Sequence, residues 1–409
     1  MKAVVFTLGC KVNSQESASL ITGLNEIGYQ TSTKLEWADI YVINTCAVTG
    51  EAEKKSRQAI ARVRKFNQDA KIYVCGCASQ KNPQSFIDKG VQVVVGTNAK
   101  DKLLEHLNDS GIFIEADKEY YQKYLPCKSS HTREYIKIQD GCNNFCSYCI
   151  IPYLRGRSRS RSIENIVEEI KYLSPAEAVI TGINVSAYEY NGKKLPDLIN
   201  ALSQFDCRIR FGSLEVVSIT EELMLACKNL NDFAPHFHLS LQSGSDSVLK
   251  SMNRRYTTAE YADKVQLIRR YYPDAAITTD IIVGYSTESD QNFEETLNFC
   301  DQINFADIHC FPYSVREGTA GAKLKKLPDE IKRARLEKLM QKKAELKNRF
   351  IEKQVGQVLS FIPEEYENGY TVGYTANYIR TYVHGKLPLK KCFVKLICSF
   401  NEGALCELV

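Results

Sequence analysis

The sequence predicts an α/β chain in three parts: an N-terminal open parallel α/β sheet domain, a central partial (β/α)6 barrel, and a C-terminal small antiparallel β-barrel. Three observations predict it. Short apolar runs alternate with helical patterns over residues 1–110. A second series of strand and helix patterns covers residues 135–350, and from 351 to 409 the chain switches to short runs rich in Gly, Tyr and Thr. At 409 residues the chain is too long for one ordinary core, so length alone calls for two to four domains.

In the first part, AVVFTL (3–8), DIYVINT (39–45), KIYVCG (71–76) and VQVVVG (91–96) read as strands. Asn13 and Glu16 form a capping box for a helix with Leu20, Ile21, Leu24 and Ile27 on one face and Gly28 near its end. The charged segment from Glu51 to Phe66 is the next helix. Such alternation means a parallel sheet covered on both faces. Residues 111–134, of mixed polarity, are expected to connect the two parts.

In the second part the strands are YIKIQ (135–139), AVIT (178–181), RIRFGS (208–213), HFHLSL (236–241), AITTDIIV (276–283) and ADIHCF (306–311). Amphipathic helices such as ENIVEEIKYL (164–173) separate them, and six such units fit a partial or open barrel. A helix around 328–350, dense in Lys, Arg and Glu, closes the domain. The β-rich remainder fits a small barrel.

Net charge is only +4, which excludes a histone-like polycation and leaves nucleic-acid contact to local patches. MKAVVFTLGC opens directly into a strand-like run without signal-peptide architecture, and no apolar stretch is long enough to span a bilayer. A cytoplasmic protein with no membrane partner is expected. Disulfides are rare in a reducing compartment, so spaced cysteines among the 15 read as metal or redox ligands, and others as small buried residues.

The sharpest motif is DGCNNFCSYC (140–149), which spaces Cys142, Cys146 and Cys149 as CxxxCxxC. It lies just beyond the first barrel strand, at the end where barrel active sites are built. Three thiolates around a four-iron cubane leave one iron open to a non-protein ligand. A structural zinc site needs a closed tetrahedral set, for which His131 is the one weak local candidate. A second trio is dispersed. Cys10 in TLGCKVN, Cys46 in INTCAV and Cys77 in GCASQ each follow a predicted strand of the first sheet. The carboxyl edge of such a sheet is where ligand crevices form, so the three can meet there. Cys75 competes with Cys77 but sits within its strand, where a buried structural role suits it better.

The CxxxCxxC motif, with Tyr148 before its last cysteine, resembles the signature of the radical S-adenosylmethionine (SAM) superfamily. TLGCKVNSQES, NTCAVT, GCASQ, KIQDGCNNFCSYC and IIPYLRGRSRSR together resemble the methylthiotransferase family along essentially the whole chain. The resemblance implies a radical SAM barrel at the centre and, at the C-terminus, a TRAM domain, which is a small RNA-binding β-barrel. It implies two [4Fe–4S] clusters: one on Cys142, Cys146 and Cys149 that chelates SAM, and an auxiliary one on Cys10, Cys46 and Cys77. The family reaction inserts CH3–S into an unactivated C–H bond, which acid–base catalysis cannot reach. By resemblance, one SAM methylates sulfur carried on the auxiliary cluster. A second SAM is cleaved to a radical that takes the substrate hydrogen, and the substrate radical couples with the methylated sulfur. An electron donor such as flavodoxin or ferredoxin and a sulfur source are implied partners.

Thr181, Gly182 and Asn184, Ser213 and Glu215, and Gln242 and Ser243 follow barrel strands and are expected to complete the SAM pocket, with Tyr148, Arg254 and Asp280 as further candidates. Loop bracing is the competing role for each. Arg155, Arg157, Arg159 and Arg161 alternate with Gly and Ser behind the first cluster loop. Arg380, Lys386, Lys390, Lys391 and Lys395 recur near the C-terminus with Tyr378 and Tyr382 among them. A charge run is usually a solvated face, but beside a site it offers phosphate contacts, and interleaved aromatics suit RNA bases.

Family members act on isopentenyladenosine in tRNA, on an aspartate of a ribosomal protein, or on N6-threonylcarbamoyladenosine at position 37 of the tRNA anticodon stem-loop. TLGCKVN looks most like the last group, the others tending to GCQMN-type and GCxKN-type versions. The expected product is 2-methylthio-N6-threonylcarbamoyladenosine. A non-enzymatic iron–sulfur RNA-binding protein and a simple radical methylase are the alternatives.

Overall fold

The computed structural model describes residues 1–98, 100–115, 125–128 and 132–409; His131 lies outside the described residues. The first sheet holds β1 (Lys2–Thr7), β2 (Gln30–Ser32), β3 (Ile40–Thr45), β4 (Lys71–Gly76), β5 (Val93–Val95) and β6 (Gly111–Phe113). All its pairings are parallel, in the order β2-β1-β3-β4-β5-β6. Helix α1 (Lys11–Glu26) covers one face with Leu20 and Leu24 against Val5, Val42 and Val93. Helix α2 (Gly50–Arg64) covers the other with Ala59, Ile60 and Val63 against Tyr41, Ile43 and Val74. The short helices α3 (Cys77–Lys81) and α4 (Gln84–Ile87) follow β4.

Three details differ from expectation. Strands β2 and β6 lack the run of β-branched apolar residues that marks the equally short β5, and β6 extends the sheet into the segment expected to be a connector. Helix α1 starts at Lys11 with Cys10 as its N-cap, so Asn13 is not the cap; Asn13 and Glu16 are buried inside the first turns.

The central domain runs β7 (Arg133–Asp140), α5 (Ile151–Arg155), β8 (Arg159–Ser160), α6 (Ile163–Leu173), β9 (Glu177–Gly182), β10 (Glu189–Tyr190), β11 (Lys193–Lys194), α7 (Leu195–Ala201), β12 (Arg208–Phe211), β13 (Ser213–Leu214) and α8 (Glu221–Lys228). It continues through β14 (His236–Leu239), α9 (Asp246–Ser251), α10 (Thr258–Tyr271), β15 (Ala276–Val283), α11 (Asp290–Ile303), β16 (Asp307–Pro312) and α12 (Asp329–Gln354). Parallel pairing links β12-β9-β7 and β13-β14-β15-β16. The third barrel strand is thus broken at Gly212 into β12 and β13, where an added Cβ would stand 3.1 Å from the Ile180 carbonyl. The result is the expected partial barrel of six βα units. Its strands and helices bury one apolar core that includes Ile136, Ile180, Phe211, Leu239, Ile277 and Ile308.

Strands β17 (Val358–Glu367), β18 (Tyr370–Thr375), β19 (Arg380–His384), β20 (Cys392–Phe400) and β21 (Gly403–Leu408) close into the C-terminal barrel, in the order β17-β18-β19-β21-β20. One pair, β19–β21, is parallel rather than antiparallel. A closed ring with an odd number of strands cannot alternate direction all the way round. This barrel is fastened to the central one by Arg133 with Glu364 at 2.7 Å, by Lys391 with Asp232 at 2.7 Å, and by stacking of Tyr378 on His236. Among the described residues no helix is long and apolar enough to cross a membrane.

Candidate active site

The strand order of the first sheet reverses between β1 and β3, and the carboxyl edge at such a switch point is a natural crevice. That edge faces the barrel across one cavity of about 930 Å³. Cys10, Cys46, Cys77, Cys142, Cys146 and Cys149 all line it. Cys75 does not; it is buried in the sheet core with Tyr73 and Leu103.

Local backbone explains each position. Gly9 takes φ +105°, and a Cβ there would stand 2.8 Å from Cys46 Sγ, so glycine lets the Cys10 loop close on Cys46. Ser56 of α2 accepts from the Cys46 amide and donates to its carbonyl, both at 3.0 Å. Gly76 caps α3 at φ +109°, where a Cβ would run into the Thr45 carbonyl, and so Cys77 starts its helix directly after β4, beside the end of β3. The loop carrying Cys142, Cys146 and Cys149 is clamped by the turn after α9. Asn253 donates to the carbonyls of Asn144 and Phe145, and Ser147 donates to those of Met252 and Ser251.

All six thiols are free. Burial pushes the Cys46 thiol up to about 11 and the Cys149 thiol to about 12, so these sulfurs keep their protons until a metal displaces them. Donors that stabilise thiolate sulfur stand ready: Arg155 Nε lies 3.4 Å from Cys77 Sγ, Arg254 Nη1 3.3 Å from Cys146 Sγ, and Asn184 Nδ2 3.9 Å from Cys142 Sγ. Two trios of free thiols with cationic or amide donors beside them fit two iron–sulfur clusters.

Tyr148, Thr181, Gly182, Asn184, Ser213, Glu215, Gln242, Arg254 and Asp280 also line the cavity. Glu215 accepts from Asn144 at 2.6 Å and pairs with Arg254 at 3.1 Å, which ties the first cysteine loop to β13 and the Arg254 turn. Ser243 departs from expectation: it is buried facing Thr296 of α11, because the left-handed Gln242 (φ +75°) turns the chain there.

The arginine run is corrected more strongly. Arg155 is fully buried. It pairs with Glu16 at 2.9 Å and Asp140 at 3.1 Å, and Glu16 also holds Lys137 at 2.6 Å and Lys100 at 2.5 Å. This network joins the first sheet to the barrel between the two cysteine trios. Arg161 is buried against Glu169 at 2.5 Å, and Arg159 pairs with Asp140 at 3.3 Å. Only Arg157 of the four is exposed. Buried carboxylates on other elements claim the rest, and a local charge pattern cannot show them. In the C-terminal barrel, Lys386, Lys390, Lys391 and Lys395 are exposed, and Arg380 lines the cavity. Tyr378 does not face outward either. It points into the cavity, with Arg210 4.1 Å from its ring centre, while Tyr382 is packed against Phe400.

Sequence reasoning missed Lys11, His238 and His309, which line the same cavity. The available signal was HFHL, where His236 and His238 share one face of a strand. His238 and His309 lie 3.2 Å and 3.1 Å from Asp280. Burial works against its charge, yet these two bonds hold the Asp280 carboxyl below the usual carboxylate range. Burial would likewise raise the Tyr378 phenol, but Arg210, Arg133 and Lys11 together bring it below its ordinary value.

A cysteine trio in the loop after the first strand of an open parallel barrel, with polar strand-end groups beside it, defines a radical SAM enzyme. Residues 136–300 match the profile of the Radical SAM superfamily, and residues 2–96 match one described as uncharacterized protein family UPF0004. The chain is 37% identical to threonylcarbamoyladenosine tRNA methylthiotransferase MtaB of Bacillus subtilis, covering 89% of this chain and 85% of that protein. It is 34% identical to tRNA-2-methylthio-N(6)-dimethylallyladenosine synthase of Thermodesulfovibrio yellowstonii, covering 89% and 88%. Among solved structures, the radical SAM methyltransferase TsrM of Kitasatospora setae shares the fold, with a TM-score of 0.57 at 12% identity over 76% of this chain and 72% of that one. The chain belongs to the radical SAM tRNA methylthiotransferase family.

Proposed function

We propose that this enzyme methylthiolates C2 of N6-threonylcarbamoyladenosine at position 37 of tRNA, using two SAM and two [4Fe–4S] clusters. The observation that carries the reading is that both cysteine trios line one cavity. Sulfur insertion requires the sulfur source and the substrate radical to meet, and a simple methylase has no use for the second trio. Cys142, Cys146 and Cys149 would hold the SAM-binding cluster, and Cys10, Cys46 and Cys77 the auxiliary one. When bound, these groups supply the electron and the sulfur that functionalising an unactivated C–H bond requires.

The chain's own residues orient and enclose. Glu215, fixed by Asn144 and Arg254, offers a carboxylate for the SAM ammonium, and Thr181, Asn184 and Gln242 offer polar groups at neighbouring strand ends. Lys386, Lys390 and Lys395, and Arg157 where it lies over the Phe145 ring, are exposed and can meet tRNA phosphates. Flavodoxin or ferredoxin would deliver the electrons, a separate donor would renew the sulfur, and the tRNA substrate places the work in the cytoplasm.

Nucleoside analysis of tRNA from a deletion strain tests the reading. Loss of the 2-methylthio derivative with build-up of N6-threonylcarbamoyladenosine supports it. Loss of the 2-methylthio derivative of isopentenyladenosine instead would sink it.

A further inference from the structure

Lys11 projects into the cavity from the first turn of α1. Among the described residues its ammonium has neither an ion pair nor a hydrogen bond. It shares the cavity wall with Asp280 and His309 of the central barrel and with Tyr378 of the C-terminal barrel, whose ring and hydroxyl Arg210 and Arg133 contact. The acidic groups on that wall are engaged. Asp280 takes His238 and His309, Asp307 takes Lys343 and Lys347 at 3.3 Å each, and Glu177 holds Arg210 at 2.7 Å. Glu402 stands exposed at the rim, on the turn between β20 and β21. A cation held in a partly enclosed cavity without a counter-ion is costly until an anion arrives.

The substrates for which the relatives are named differ in this respect. A dimethylallyl group is a hydrocarbon, whereas a threonylcarbamoyl group ends in a carboxylate and a hydroxyl. We propose that Lys11 is the counter-ion for the carboxylate of the threonylcarbamoyl substituent, with the Tyr378 hydroxyl and the His309 imidazole lining the same subsite. Lys11 is thereby a specificity-determining residue. The inference rests on the proposed substrate and adds which residue recognises it.

The test uses reconstituted full-length enzyme and anticodon stem-loop RNA carrying either N6-threonylcarbamoyladenosine or its methyl ester, which differ in that charge and in one methyl group. The readout is the acid-to-ester ratio of kcat/KM within each variant, which cancels any difference in the fraction of loaded enzyme. Wild type is expected to favour the acid by roughly 10- to 100-fold, the range for a charge-assisted hydrogen bond. Lys11→Gln should bring the ratio close to one, and Lys11→Arg should keep most of it. A ratio that Lys11→Gln leaves at the wild-type value overturns the inference, including the case in which KM for SAM rises and Lys11 serves the SAM carboxylate instead. If wild type acts on dimethylallyladenosine RNA and on neither of these, the proposed function fails, and that outcome is distinguishable from failure of Lys11 alone.

Discussion

Replacing Glu16 by glutamine removes one negative charge from the junction of the first sheet and the barrel. In the wild type that carboxylate meets Lys100 at 2.5 Å, Lys137 at 2.6 Å and Arg155 at 2.9 Å. Without it, Asp140 still faces Lys137, Arg155 and Arg159, with one negative charge fewer at the junction. Three charge-assisted bonds of about 1.5–3 kcal/mol each would sum to more than the variant forfeits, because the glutamine carbonyl still accepts one bond. Breaking a buried ion pair from one side costs about 3–5 kcal/mol, so a destabilisation of about 4 kcal/mol is expected. The pH sign follows from the direction of the shift. Burial opposes its charge, but Arg155, Lys100 and Lys137 hold the Glu16 carboxyl well below its ordinary 4.5. A depressed carboxyl stabilises fully above that value and loses its contribution as pH falls below it. Urea unfolding of wild type and Glu16→Gln, followed by far-UV circular dichroism, should show the full gap at pH 7 and a shrinking gap below pH 4.5. A gap under about 1 kcal/mol at pH 7, the range of an exposed pair, would refute the reasoning, as would one that persists unchanged in acid.

Alanine at Cys142, Cys146 or Cys149 should abolish 5′-deoxyadenosine formation, while Cys10→Ala or Cys77→Ala should retain it and lose the methylthio product. Iron should fall from about eight to about four per chain in each, since a cubane holds four. Gly76→Ala should also bring iron to about four by forcing a Cβ against the Thr45 carbonyl, whereas Gly28→Ala, with φ +90° but nothing within 4 Å of its Cβ, should stay near eight. Serine at Lys386, Lys390 and Lys395 together should flatten the salt dependence of tRNA binding by about 0.7–0.9 in log–log slope for each phosphate the variant no longer neutralises, while Arg157→Ser alone should flatten it by at most one such step.

The two cysteine trios were legible because each rests on a local rule. A ligand loop has its own spacing, and the end of a buried strand shows as an apolar run followed by a cysteine, behind glycine at Cys10 and Cys77 and behind Thr45 at Cys46. Most strands and long helices were legible for the same reason. Strands β2 (Gln-Thr-Ser) and β6 (Gly-Ile-Phe) were not, since neither carries the run of β-branched apolar residues that marks the equally short β5. The parallel β19–β21 pair was not either, since closure is a property of the whole ring.

What the sequence by itself determined is therefore the order of domains and the residue types available for chemistry. Only the tertiary structure decided how each charged side chain is used. Arg155 and Arg157 stand two residues apart in one basic run, yet the first is buried against Glu16 and Asp140 and the second is exposed. Lys11 and Lys100 look alike in sequence, yet Lys100 finds Glu16, Asn13 and Asn44 while Lys11 faces the cavity. Whether a charge is paired, solvated or held for a ligand depends on groups brought to it from other elements, and no local pattern encodes them.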